Sequence, residues 1–285
     1  MISQREIIKL NDRLGITRAT IDKDWVLGHV LNAMYSFDEI RKNLVFKGGT
    51  CLRKCYYENY RFSEDLDFTL LDSNFIIDQT LIIKVLSKTN KISGILFNEN
   101  PIIKTQVHQD IGQGYAVKIN FWGANHHPKQ KPLPPNRWQT SIKMDISYSE
   151  KLLSEIEYND IFHNYSDSDL ITEKVSCYCI PEIVAEKIRS LLQRNRPRDI
   201  YDNWVLSNKI SSHDYKKIKQ ILLQKAKNKN LDYLKIENFV SEERKPGLRR
   251  AWEKSLKHQL IKDSLPDFDA TYNLLKPFIV NILNS

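Results

Sequence analysis

The sequence predicts an α+β front half followed by an all-α back half, and three observations carry that expectation. Between Leu44 and Tyr148, short apolar runs bounded by turn residues alternate with polar positions at the two-residue period of strands. From Pro181 onward the apolar spacing turns helical and stays so. The shift falls near residue 180 and sets an expected division into 1–180 and 181–285. The 285 residues, 41% apolar and 27% charged, exclude a disordered or fibrous chain and are enough for a large buried core.

Each element has its own reason. Ser3 is placed to cap a helix over 4–14 whose inner face is Ile7, Ile8 and Leu14. Leu27, Val30, Leu31 and Met34 give residues 24–35 helical spacing. Leu44-Val45-Phe46 is a short buried strand that stops at Lys47-Gly48-Gly49-Thr50, and a helix is expected over 51–57. A strand over 65–71 and a helix over 75–87 follow. Further strands are expected over 95–97, 102–107, 115–122 and 141–148. Between the last two lie residues 123–140, where Pro128, Pro132, Pro134 and Pro135 forbid a regular element. That makes an exposed loop, either a substrate lid or a tolerated insertion. Helices are expected over 181–194, 197–206, 213–228, 248–260 and 268–284.

Composition narrows the function classes. No apolar run approaches the roughly 20 residues of a membrane span, and no apolar signal core follows Met1, so a cytoplasmic protein without a membrane partner is expected. Four cysteines are too few for a disulfide framework. Cys51 and Cys55 stand at i, i+4, and Cys177 and Cys179 share a strand face. Neither pair has zinc-knuckle spacing, so all four read as buried free thiols. His126-His127 lacks carboxylates nearby in sequence, and Trp122 and Trp138 read as anchors for the proline-rich loop. The net charge is +8, and residues 186–229 carry twelve Lys/Arg against four Asp/Glu, an excess equal to the whole net charge. Such a stretch suits a phosphate backbone, although solvated helix faces have the same composition.

The chemical centre is the order strand, two glycines, hydroxyl residue, helix. Gly48 and Gly49 let backbone approach a phosphate, a helix N-terminus offers unpaired N–H groups, and Thr50 adds a hydroxyl. Asp65-Leu66-Asp67 follows. On a strand, Asp65 and Asp67 share one face while Leu66, Phe68 and Leu70 face the core. Adjacent carboxylates repel unless a cation sits between them, and oxygen ligands of this kind suit Mg²⁺ or Mn²⁺ with a substrate polyphosphate. Asp145 occupies the polar face of the strand over 141–148 and is a candidate third acid. In the back half, Lys187, Ser190 and Arg194 fall on one polar side of a helix, and Asp199 and Asp202 share a face of the next. By spacing alone these are ion pairs holding a helix–turn–helix.

The run from Phe46-Lys47-Gly48-Gly49-Thr50 through Arg61-Phe62-Ser63-Glu64-Asp65-Leu66-Asp67 resembles the signature of the AbiEii/AbiGii toxin family, MenT-like nucleotidyltransferases related to DNA polymerase β. The block Glu186-Lys187, Arg194, Arg198-Asp199-Ile200, Asp202 is similar to that family's downstream motif. The resemblance implies a polymerase-β-like nucleotidyltransferase domain with a mixed sheet, followed by a helical domain. It implies Asp65 and Asp67 as metal-holding catalytic acids and carries catalysis onto Lys187 and Asp199, with the assignment between Asp199 and Asp202 open. Asp145, read from its strand pattern, joins them as a candidate third catalytic and metal-holding acid. Lys47, Gly48, Gly49, Thr50, Arg61, Ser63, Arg194, Arg198 and Asp202 then bind nucleotide or acceptor. The expected reaction is metal-dependent transfer from a nucleoside triphosphate (NTP) to RNA, with a tRNA 3′ end favoured, by the toxin of a toxin–antitoxin or phage-defence pair with a cognate antitoxin. The competing readings are a transferase that modifies a protein and a non-catalytic RNA-binding protein.

Overall fold

The computed structural model describes residues 1–108, 112–127, 129–194, 196–231 and 235–285; Pro128, one of the four loop prolines, lies outside them. The chain divides into two compact units, one of 1–152 with 156–177 and one of 153–155 with 178–285.

The first unit opens with α1 (Gln4–Leu14), capped by the Ser3 hydroxyl and closed by Gly15 in the left-handed region. The next helix, α2 (Arg18–Tyr35), begins earlier than its apolar spacing indicates, because the Thr17 side chain accepts the N–H of Thr20. Trp25, Val26, Leu27, Val30 and Leu31 of α2 are fully buried. A short α3 (Asp38–Asn43) leads into β1 (Leu44–Lys47). The strands β2 (Asp65–Leu70), β3 (Leu96–Phe97), β4 (Ile102–His108), β5 (Gly112–Trp122), β6 (Ser141–Ser147), β7 (Ile156–Asp160) and β8 (Lys174–Tyr178) complete a mixed sheet. Its order is β3-β5-β6-β2-β1-β8-β7, with β4 also on β5. Parallel pairing of β2 with β6 and of β1 with β8 brings segments distant in sequence beside the centre of the sheet.

Between β1 and β3 the chain differs from expectation at two places. Helical backbone starts at Gly48, as α4 (Gly48–Cys51), and continues as a π turn over Leu52–Tyr56. The helix expected over 75–87 is instead α5 (Gln79–Ser93), because the Asp78 carboxylate caps it at the N–H of Leu81. It runs on through polar residues because Thr89 and Ser93 donate their hydroxyls to carbonyls one turn back. Within the loop over 123–140, Trp122 and Trp138 are buried with ring centroids 6.2 Å apart, and His126 stacks on Trp122 at 3.5 Å. The Asp22 carboxylate accepts the N–H of Ala124, so both ends of this loop are tied to the fold.

A second tie holds residues 163–167 to α2. The Asp167 carboxylate accepts from Trp25 Nε1 at 3.1 Å and lies 3.1 Å from His29 Nε2 and 3.3 Å from His163 Nε2. Burial holds the His163 imidazole down to about 4, against 6.5 for an exposed ring. The unfolded chain therefore binds this proton more tightly than the folded one. The stabilising contribution is full above pH 6.5 and is lost as the pH falls through about 4. Asp22 has the opposite sign, since burial raises its carboxyl to about 6 and the folded state takes up that proton first. The expected result is a larger drop in thermal midpoint between pH 6.5 and 4 for the wild type than for His163→Gln. Parallel curves for the two proteins exclude the assignment.

The second unit consists of α6 (Ile180–Gln193), α7 (Pro197–Ser207), α8 (Tyr215–Lys227), α9 (Ile236–Phe239), α10 (Lys245–Leu256) and α11 (Phe268–Asn284), with 3-10 turns between some of them. Val184, Ile188 and Leu191 form the buried stripe of α6, which packs on α7 and α8. Residues 153–155 belong here because the buried Glu182 carboxylate accepts the N–H groups of Leu153 and Ser154 at 3.0 and 2.9 Å. Lys225 completes that cluster, 2.8 Å from Glu182 and 2.9 Å from Glu186. Among the described residues no helix is long and apolar enough to cross a membrane.

Candidate active site

The strand β1 delivers Lys47 to the point where the chain turns into α4, and the two glycines occupy the first positions of that helical turn. Gly48 has φ of 82°, in the region that disfavours a side chain, and a Cβ there would lie 2.3 Å from Asp67 Oδ2. A Cβ on Gly49 would lie 3.0 Å from a terminal nitrogen of Arg61 and 3.1 Å from Ser63 Oγ. The Gly-Gly pair thus makes room for three side chains of the second motif to reach the backbone of the first.

The alternation of β2 is as its sequence demands. Leu66 and Phe68 are fully buried, while Asp65 and Asp67 are half-buried on the opposite face. Register extends that face across three strands: Asp67 stands opposite Lys47 of β1 and opposite Asp145 of β6, and Asp65 stands opposite Lys143. Side chains paired this way point to the same side of a sheet. Asp145 is exposed, but the protein around its carboxyl and then the Asp65 charge push its pKa up, with Lys143 opposing. The three acids therefore share one face, and the Asp65 charge acts on Asp145. This is the arrangement in which a divalent cation relieves repulsion, and the all-oxygen donor set fits a hard ion.

Other side chains stand where their motifs place them but with other partners. Thr50, expected to offer its hydroxyl to phosphate, is fully buried and donates it to the carbonyl of Asp65. Its work is to lock α4 onto β2, because a buried hydroxyl without a partner is costly. Lys47 is nearly buried and ion-paired with Glu150, a residue that sequence reasoning did not single out. Arg61 is buried, donates to the carbonyl of Phe62 and lies over the Tyr60 ring.

A buried charge cluster holds the π turn in place, and no local spacing announces it. Asp24 of α2 accepts from Arg53 Nε and Lys54 Nζ, both at 2.7 Å, and from the Tyr165 hydroxyl at 2.8 Å. Burial alone would raise the Asp24 carboxyl, but the Arg53 and Lys54 charges hold it well below the usual carboxylate range. Burial pulls Lys54 down from its ordinary value.

In the second unit the downstream motif forms one network, buried at Lys187, Asp199 and Asp202 but exposed at Arg194. Lys187 Nζ lies 2.7 Å from Asp202 Oδ2. Asp199 pairs with Arg194 instead, at 2.9 Å, and accepts the N–H of Arg196 at 3.0 Å and the hydroxyl of Ser190 at 3.2 Å. Asp199 thus caps the start of α7, and it is Asp202 that pairs with Lys187. Arg198 is half-buried on the first turn of α7. Several cations of the basic stretch are spent internally: Lys187, Arg189 and Lys225 are buried, while Lys209, Lys216, Lys217 and Lys227 are exposed.

Comparison with known proteins agrees with this geometry. Residues 29–274 match the family described as nucleotidyl transferase AbiEii toxin, type IV toxin–antitoxin system. The chain belongs to that family of nucleotidyltransferase toxins. Among solved structures it is similar to MenT4, a nucleotidyltransferase toxin of Mycobacterium tuberculosis H37Rv, at 17% identity and a TM-score of 0.67, covering 100% of this chain and 91% of that one. It is also similar to JHP933 from Helicobacter pylori, at 18% identity and a TM-score of 0.55, covering 94% of each chain. These likenesses establish the fold, a mixed-sheet nucleotidyltransferase domain followed by helices, as the sequence resemblance implies. A search of curated proteins gave no match.

Proposed function

We propose that the protein transfers a nucleotide from an NTP to an RNA acceptor, with a tRNA 3′ end as the favoured target, in the cytoplasm and under control of a cognate antitoxin. The observation that carries this reading is the Asp67 carboxylate seated against Gly48, with Asp65 and Asp145 on the same face of the sheet. Asp65 and Asp67, with Asp145 beside them, are the residues that would hold Mg²⁺ or Mn²⁺. When bound, the ion supplies positive charge to polyphosphate oxygens. The Gly48 and Gly49 backbone borders the polyphosphate, and Arg61 and Ser63 fix that backbone from behind. Asp145 orients the acceptor hydroxyl. For the second unit Lys187 is the proposed phosphate-binding cation, with Asp202 orienting it and Asp199 and Arg194 serving the helix start. The exposed lysines of 209–227 suit an RNA backbone.

The test is incubation of purified protein with total tRNA, Mg²⁺ and each labelled NTP. Wild type is expected to label RNA, and Asp67→Asn to reduce labelling by about 10²–10³-fold, as when a preorganised electrostatic group is lost. Label on polypeptide alone would establish protein modification instead. Absence of labelling by wild type, or equal labelling by the variant, defeats the proposal.

A further inference from the structure

Cys51 ends α4, Cys55 lies four residues on in the π turn, and Cys177 comes from β8. The parallel pairing of β1 with β8, which sets Phe46 opposite Cys177, carries the third thiol to the other two. The three sulfurs lie within 4.8 Å of one another, and all three cysteines are free and no more than 5% exposed. Cys179, two residues further on, is also buried but stands outside this cluster. Three sulfurs around one ion at a metal–sulfur distance of about 2.3 Å are about 4 Å apart, so the cluster needs only a small contraction to become a ligand set.

Charged groups of both signs lie around the cluster. Arg53 and Lys54, set against the single carboxylate of Asp24, leave one positive charge in the same turn. The Lys54 charge favours a thiolate at Cys55, while Asp160 opposes it there and Glu157 opposes it at Cys177. Oxygen-seeking ions such as Mg²⁺ have no affinity for such a set, whereas soft thiolates select thiophilic d¹⁰ ions. We propose that Cys51, Cys55 and Cys177 form a binding site for one such ion, Cu(I) or Zn(II), separate from the acidic face. Cu(I) is satisfied by three thiolates, while Zn(II) needs a fourth ligand. The ion ties the turn that follows Gly48 and Gly49 to β8, a cross-link between segments far apart in sequence.

The experiment uses the full, reduced chain, titrated separately with Cu(I) and with Cd²⁺ as the spectroscopic stand-in for Zn(II). A thiolate-to-metal charge-transfer absorption that saturates at one ion per chain is expected. Saturation by Cu(I) alone supports a three-coordinate site, and saturation by both supports a site with an open fourth position. Cys177→Ser is expected to lose the absorption and Cys179→Ser to keep it. X-ray absorption at the metal edge of the loaded wild type counts sulfur ligands without any variant, and three are expected. No one-to-one absorption with either ion, an oxygen and nitrogen shell, or an absorption that survives Cys177→Ser in folded protein overturns the proposal. None of these readouts depends on nucleotide transfer, so failure here and failure of the transferase reading are distinguishable.

Discussion

Asp24→Ala is expected to destabilise the first unit by about 3–5 kcal/mol, the range for removing one partner of a buried ion pair. The cause lies in what remains. Arg53 and Lys54 both point at this carboxylate, and Lys54 is only 2% exposed. Without Asp24 the two cations repel each other in the interior, and the Tyr165 hydroxyl loses one of its partners. Urea unfolding followed by circular dichroism measures the effect as a lower midpoint at unchanged slope. A change of less than about 1 kcal/mol would mean that the cations are exposed in solution, contrary to the packing described. Asp24→Asn keeps one oxygen acceptor and is expected to fall between the wild type and the alanine variant.

Gly48→Ala tests the coupling between the two motifs. The added methyl would have to occupy space 2.3 Å from Asp67 Oδ2, at a backbone φ of 82° that already disfavours alanine. Either the carboxylate swings away or the α4 backbone shifts. A displacement on the order of 1 Å at such a centre costs about 10²-fold in rate. The variant is expected to lose that much labelling in the tRNA assay while keeping its far-ultraviolet spectrum. Gly49→Ala is expected to cost less, because its neighbours, an Arg61 terminal nitrogen and Ser63 Oγ, are side-chain ends at 3.0 and 3.1 Å. Activity of Gly48→Ala within a factor of about two of wild type would separate Asp67 from catalysis.

What the sequence makes legible is periodic or local. The inward Leu66 and Phe68 and the outward Asp65 and Asp67 follow from alternation, and the helices of the second unit follow from their apolar stripes. Strands β7 and β8 leave no such pattern. The first has no fully buried position, and the second is buried at four successive residues, so neither alternates. The clusters around Asp24 and Asp167 join residues more than a hundred positions apart, at Tyr165 and at Trp25 and His29. Nothing in the spacing near any of them signals the others. Thr50 shows a subtler limit: motif order locates the residue correctly, but only the structure shows its hydroxyl committed to the Asp65 carbonyl.

The parallel neighbour of β2 is β6, and the chain makes β3, β4 and β5 before it reaches that partner. Closing so long a loop costs entropy, and β2 cannot gain this neighbour until the chain through β6 has been made. During synthesis, a nascent polypeptide that has emerged only through β2 displays the glycines and two acids but lacks their companion from β6. An enzyme harmful to its host thereby gains a delay written into chain connectivity: its acidic face is complete only once most of the first unit has left the ribosome.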